Sequence, residues 1–179
     1  MAEYYNIKIA GVERNLEKFP VSDSLDIAAF ILFGDVEITV KASEELLKKA
    51  PEFDYIITPE AKSIPLAYEM ARQSGKPYIV IRKGVKVYMR NSLSVTVKSI
   101  TTDKEQKLFL GETEVNMIKG KKVLIVDDVI STGESLNAVR ELVEKAGAIE
   151  AATCAVLAEG DAANRTDFIF LEKLPLFFK

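Results

Sequence analysis

Apolar and polar positions change their rhythm along the chain. Near the N-terminus Tyr5, Ile7 and Ile9 alternate with polar residues, and beyond polar breaks an apolar run extends from Ile27 to Phe33. Alternation at period two predicts strands, here within a small lobe over residues 1–33. Residues 36–50 carry Val36, Val40, Leu46, Leu47 and Ala50 and then meet Pro51, which predicts a helix that stops there. From Asp54 onward strands and helices alternate. Asp54–Thr58 reads as a short strand, Ile64–Ser74 as a helix ended by Gly75 and Pro77, and Tyr78–Arg82 as the next strand, a βαβ unit by spacing. Residues 84–110 interrupt the alternation. Leu93, Val95 and Val97, then Leu108 and Leu110, flank the polar stretch Thr101–Lys107, predicting a hairpin with an exposed tip.

After Gly120 the segment Val123–Val126 is wholly apolar, as strands buried on both faces are. A helix with Leu136, Val139, Leu142, Val143 and Ala146 on its apolar side follows, ended by Gly147, and a further apolar strand covers Ala151–Leu157. The predicted fold class is α/β: a mainly parallel central sheet flanked by helices, with ligands gathering at the carboxyl ends of its strands. No repeat, linker or low-complexity stretch divides the 179 residues, so they are read as one domain. Its parts are a lobe over 1–33, a core over 34–160 that carries the hairpin 84–110, and a terminal strand and apolar tail over 161–179.

Composition narrows the chemistry. The chain has no histidine, no tryptophan and one cysteine, Cys154. Ser-His-Asp and Cys-His catalysis and His-based metal sites are therefore excluded. Carboxylates, hydroxyls, cations and backbone amides remain. A net charge of −3 lacks the basic excess of a dedicated nucleic-acid binder. No export signal or membrane-length apolar run is legible, so no membrane partner is expected and the cytoplasm is the expected compartment. Asn164-Arg-Thr166 matches a glycosylation acceptor, read as chance in such a chain.

The most specific stretch is Val123-Leu-Ile-Val-Asp-Asp-Val-Ile-Ser-Thr-Gly-Glu-Ser-Leu136. A helix N-terminus offers unpaired N–H groups and the positive end of the helix dipole, which suit a phosphate. Gly133 permits close approach or positive φ, and Ser131, Thr132 and Ser135 add hydroxyl donors. Asp127 and Asp128 suit vicinal sugar hydroxyls or a magnesium shell. A diol site beside a phosphate site describes a ribose 5-phosphate. The plainer alternative is a helix capped by Ser131 or Thr132 with two solvated acids before it. Neither a Walker loop nor a G-x-G-x-x-G turn occurs.

Leu124-Ile-Val-Asp-Asp-Val-Ile-Ser-Thr-Gly-Glu-Ser135 closely resembles the 5-phosphoribosyl 1-pyrophosphate (PRPP) motif of the type I phosphoribosyltransferases. The order of parts resembles the purine branch, adenine phosphoribosyltransferases and their xanthine-type relatives. The resemblance implies transfer of a phosphoribosyl group from PRPP to a purine base, with Mg²⁺ as cofactor and pyrophosphate released. It implies that Asp127 and Asp128 hold the ribose hydroxyls, with Asp128 also serving the metal through water and PRPP. Ser131, Thr132, Gly133, Glu134 and Ser135 would form the 5-phosphate loop. Arg82 and Lys83 stand where a basic pair meets pyrophosphate, and Lys62, in the turn Glu60–Ile64, is a further contact. Phe33, with Phe30 second, is the implied base-stacking residue. The hairpin tip would close as a lid, and a homodimer is the implied assembly.

Two positions depart from the adenine-type pattern. Ala61-Lys-Ser-Ile64 replaces an Ala-Arg-Gly-Phe-like turn, and Thr101 stands where the lid glutamate is expected, with Asp103 and Glu105 nearby. The departures leave two other readings: a 6-oxopurine phosphoribosyltransferase, and a PRPP-sensing regulatory protein of the same fold without catalysis.

Overall fold

A computed structural model of the chain describes residues 2–97 and 106–179. Five strands form a parallel sheet in the order β10-β9-β8-β4-β5. They are β4 (Tyr55–Pro59), β5 (Tyr78–Ile81), β8 (Lys122–Ile130), β9 (Ile149–Glu159) and β10 (Ile169–Leu174). Side chains of β8 alternate between two cores. Val123 and Ile125 face one, Leu124 and Val126 the other, which is why this stretch reads as continuously apolar.

The first core is closed by α4 (Glu134–Lys145), by α3 (Glu112–Ile118) and by the antiparallel pair β6 (Leu93–Val97) and β7 (Gln106–Leu110). The second is closed by α1 (Val36–Lys49), α2 (Ile64–Ser74) and the N-terminal strands. Helix boundaries follow local chemistry. Asp35 accepts from the Ile38 N–H at 3.2 Å to cap α1, and α2 ends at Gly75, whose φ of 69° is a left-handed conformation favouring glycine.

The N-terminal residues form β1 (Tyr4–Ile9), β2 (Val12–Ser22) and β3 (Leu25–Ala28), an antiparallel sheet that gains a fourth strand from β11 (Phe177–Phe178). Here the structure answers where the apolar tail goes: Phe177 meets the Tyr5 ring edge-on with centroids 5.2 Å apart, and Lys18 Nζ lies 4.3 Å from its centroid. No described helix is long and apolar enough to cross a membrane.

Strand order places the site. From β4 the chain crosses through α2 to β5 on one side, and from the neighbouring β8 it crosses through α4 to β9 on the other. The two loops therefore part above the β4/β8 pair, opening a crevice at the carboxyl ends of the strands.

Candidate active site

A cleft of about 410 Å³ occupies that crevice, lined by residues 59–63 after β4 and by 127–133 with Ser135 and Leu136 from β8 and α4. Lys83, Val97, Gln106 and Leu108 complete it. The aspartates are not past the end of their strand, as the sequence suggested, but within it. β8 remains paired with β9 through Val129 and Ile130, whereas its pairing with β4 stops at Ile57 opposite Ile125. The loss of one neighbour just before Asp127 opens the cleft floor beside a strand still held on its other edge.

Asp128 is 4% exposed; among the described residues its Oδ2 meets no hydrogen-bond partner but forms an ion pair with Lys62 Nζ at 3.4 Å. The Asp128 N–H donates to Asp127 Oδ1 at 2.9 Å. Asp127 keeps part of its surface open to the cleft yet lies deep among protein atoms. Burial, and then the neighbouring Asp128 carboxylate, push Asp127 well above the ordinary carboxylate range. Two adjacent buried acids, one of them met by a lysine at 3.4 Å, are costly unless a ligand or a proton compensates them.

Ser131, Thr132 and Gly133 turn the chain into α4. Gly133 has φ 85°, and the helix has no side-chain cap hydrogen bond. Thr132 Oγ1 accepts from the Glu134 N–H at 3.5 Å. Ser135 and Leu136, in the first turn beyond it, line the cleft at the positive end of the helix dipole, a place that suits an anion. Ser131, Thr132 and Ser135 are exposed, Gly133 is buried and Glu134 is the first residue of the helix.

The turn Glu60–Ser63 faces this loop, with a cis Glu60–Ala61 peptide. Thr58 Oγ1 donates to Ser63 Oγ at 2.7 Å, and Ser63 Oγ donates to the Pro59 carbonyl at 3.1 Å. Both side chains are buried, which fixes the turn. Ser63 was not singled out from the sequence; its role depends on long-range placement beside Asp127, which no local pattern encodes.

The basic pair divides. Lys83 lines the cleft, whereas Arg82 does not; its Nε lies 3.0 Å from Glu60 Oε2, and the residue lines a separate cavity with Tyr78, Tyr88 and Glu114. Consecutive side chains at a strand end project to opposite sides, and the Arg82 backbone is fixed by exchanged hydrogen bonds with Phe109, at 3.0 and 2.8 Å. Neither implied stacking residue lines the cleft. Phe30 is 5% exposed within the second core, and Phe33 is 55% exposed. Thr101, Asp103 and Glu105 lie outside the described residues.

Residues 36–174 match the phosphoribosyl transferase domain family. The chain belongs to this family. Hypoxanthine/guanine phosphoribosyltransferase of Methanococcus voltae is 33% identical over 153 residues, spanning 86% of this chain and 75% of that protein. Adenine phosphoribosyltransferase of Mesomycoplasma hyopneumoniae is 35% identical over 106 residues, spanning 59% of this chain and 58% of that protein. The solved structure of adenine phosphoribosyltransferase from Thermoanaerobacter pseudethanolicus has a TM-score of 0.73 at 22% identity, covering 88% of this chain and 95% of that one. That last likeness is one of fold. Family membership makes the chain a phosphoribosyltransferase and turns the cleft at β4/β8 into the place to look for its donor.

Proposed function

We propose that the chain transfers the 5-phosphoribosyl group of PRPP to a purine base, releasing pyrophosphate and forming a nucleoside 5′-monophosphate. The observation that carries this reading is the adjacency of the Asp127–Asp128 pair to the glycine-led start of α4 within one cleft. In the reaction the bond from ribose C1 to pyrophosphate breaks, a base nitrogen bonds to C1, and that nitrogen's proton leaves. The ribose becomes cationic on the way, so positioning, charge neutralisation and exclusion of water do the work.

The amides and hydroxyls of residues 131–135 would take the 5-phosphate, and Asp127 and Asp128 the ribose hydroxyls. Lys62 and Lys83, which reach the cleft from the opposite loops, would meet pyrophosphate. Mg²⁺ fits this set: it takes one or two carboxylates together with substrate phosphates and water, and Asp128 presents a buried carboxylate to the cleft beside Asp127. When bound it would neutralise charge on the leaving pyrophosphate. The base would sit in this cleft, the hairpin would close over it, and the working assembly would be a cytoplasmic homodimer.

Adenine is the first acceptor to test. A 6-oxopurine is the second, favoured by the hypoxanthine/guanine relative that spans 86% of the chain. Incubation with PRPP, Mg²⁺ and each of adenine, hypoxanthine, guanine and xanthine should release pyrophosphate with one of them. PRPP binding without release from any base would instead support the regulatory reading.

A further inference from the structure

Gly133 is left-handed at φ 85°, and the space that a Cβ would occupy there is already filled by the guanidinium of Arg165, with Nη1 nearest. Arg165 belongs to the segment between β9 and β10, far outside the loop's own sequence, and it is not among the residues that line the cleft. We propose that Arg165 is a positioning residue, packing behind the phosphate loop at Gly133 and setting the loop's grip on a sugar 5-phosphate. This rests on the phosphoribosyl reading above.

Three features support a built contact rather than a passing surface arginine. Arg165 Nε and Nη2 donate to the two Asp167 oxygens at 2.9 and 2.7 Å, which fixes the guanidinium plane and turns Nη1 toward the loop. Asp167 is itself tied to the body of α4, because Arg140 Nη1 donates to its Oδ2 at 2.6 Å. Arg140 in turn is bound by Glu150 at 3.0 Å. The Phe168 ring lies 5.5 Å from the Arg165 guanidinium carbon and limits its movement.

Electrostatics gives the arrangement a direction. A cation beside a helix N-terminus meets the positive end of the dipole, an unfavourable place for it in the free protein. An incoming dianionic phosphate reverses the sign, because loop amides, helix dipole and guanidinium then all favour it. Arg165 thus stiffens the loop mechanically and, with its charge largely offset by Asp167, aims an Nη1 donor at the loop without touching the reacting atoms.

The test uses ribose 5-phosphate and pyrophosphate as separate probes, by calorimetry on the full chain, with steady-state kinetics beside it. Arg165→Ala should weaken ribose 5-phosphate by about tenfold and raise the KM for PRPP similarly. Pyrophosphate binding and the KM for the base should stay within about twofold, since the change is confined to the phosphate loop. Arg165→Lys keeps the charge but loses the rigid fork, and should fall between the two while its thermal midpoint stays near that of the parent. Equal ribose 5-phosphate affinity in the parent and both variants would overturn the Arg165 role and leave the phosphoribosyl reading standing. Equal weakening of both probes would also overturn it, pointing to general loosening of the fold. A parent protein that binds neither ribose 5-phosphate nor PRPP would sink the phosphoribosyl reading and this role with it.

Discussion

Replacing Asp127 and Asp128 together by asparagine should damage function and relieve the free protein at the same time. Asparagine is nearly isosteric, so the β8/β9 ladder that carries both residues has no reason to change. Each carboxylate that accepts from a ribose hydroxyl in the bound state contributes about 1.5–3 kcal/mol. Loss of both predicts a fall in kcat/KM for PRPP of about 10²- to 10⁴-fold. Stability should move the other way. Burial and the Asp128 charge raise Asp127 in the folded state, so the folded protein holds a proton that the unfolded chain has released. Stability is therefore lost as pH rises from the unfolded value of 3.8 toward the raised folded one. A displacement of a single unit is worth about 1.4 kcal/mol, and 1 kcal/mol moves the melting temperature of a chain of this size by about 2–4 °C. With EDTA present, the double variant should melt a few degrees above the parent at about pH 7.5 and level with it at about pH 4. Near-normal kcat/KM would refute the diol role. A variant that melts below the parent at both pH values would refute the electrostatic argument.

The divided basic pair predicts divided phenotypes: Lys83→Ala should raise the KM for PRPP by about three- to tenfold, more at low salt. Arg82→Ala should leave that KM nearly unchanged and cost about 1–3 kcal/mol in urea unfolding, because it strands Glu60 without its partner. Phe177→Ala removes the edge contact with Tyr5 and the Lys18 cation from the terminal strand, and should cost about 2–3 kcal/mol by the same measurement. If Mg²⁺ sits beside Asp128 as proposed, removing it with EDTA should weaken PRPP binding at least about tenfold in calorimetry; unchanged affinity would contradict that proposal.

Much of the core was legible because its signals are local. Helix α2 begins and ends where the sequence reading put it, at Ile64 and Ser74, since Pro65 in its first turn and Gly75 after its last are self-contained punctuation. The continuous apolar run of β8 announced a strand buried on both faces. Its length was not announced, because pairing through Asp127 to Ile130 depends on β9 supplying a partner beyond the point where β4 departs. The Asp-Asp and Ser-Thr-Gly elements of the cleft were legible for the same local reason. Its far wall was not: Ser63 matters through a buried bond to Thr58, and Arg82 turns away because the Phe109 backbone and Glu60 hold it. Phe30 illustrates the opposite difficulty, since an aromatic in an apolar run carries the same signature whether it stacks on a ligand or fills a core.

The absence of histidine and the charge of the cleft belong to one electrostatic design. Among the described residues lining the cleft, the acids are Glu60, Asp127 and Asp128 and the bases are Lys62 and Lys83. The lining therefore offers a polyanion little net positive charge, since Lys62 already faces Asp128 and Glu60 faces Arg82 from outside. On the proposed reading, attraction comes from elsewhere: from the dipole of α4, from Arg165 beside Gly133, and from the Mg²⁺ that Asp128 would help to hold. None of these sources requires a titrating side chain near neutral pH. On that reading the cleft would hold an anionic donor chiefly by fixed dipoles and the bound ion, and the positive charge that develops on the ribose as the leaving group departs would draw the proton off Asp127 and leave its carboxylate to face that charge.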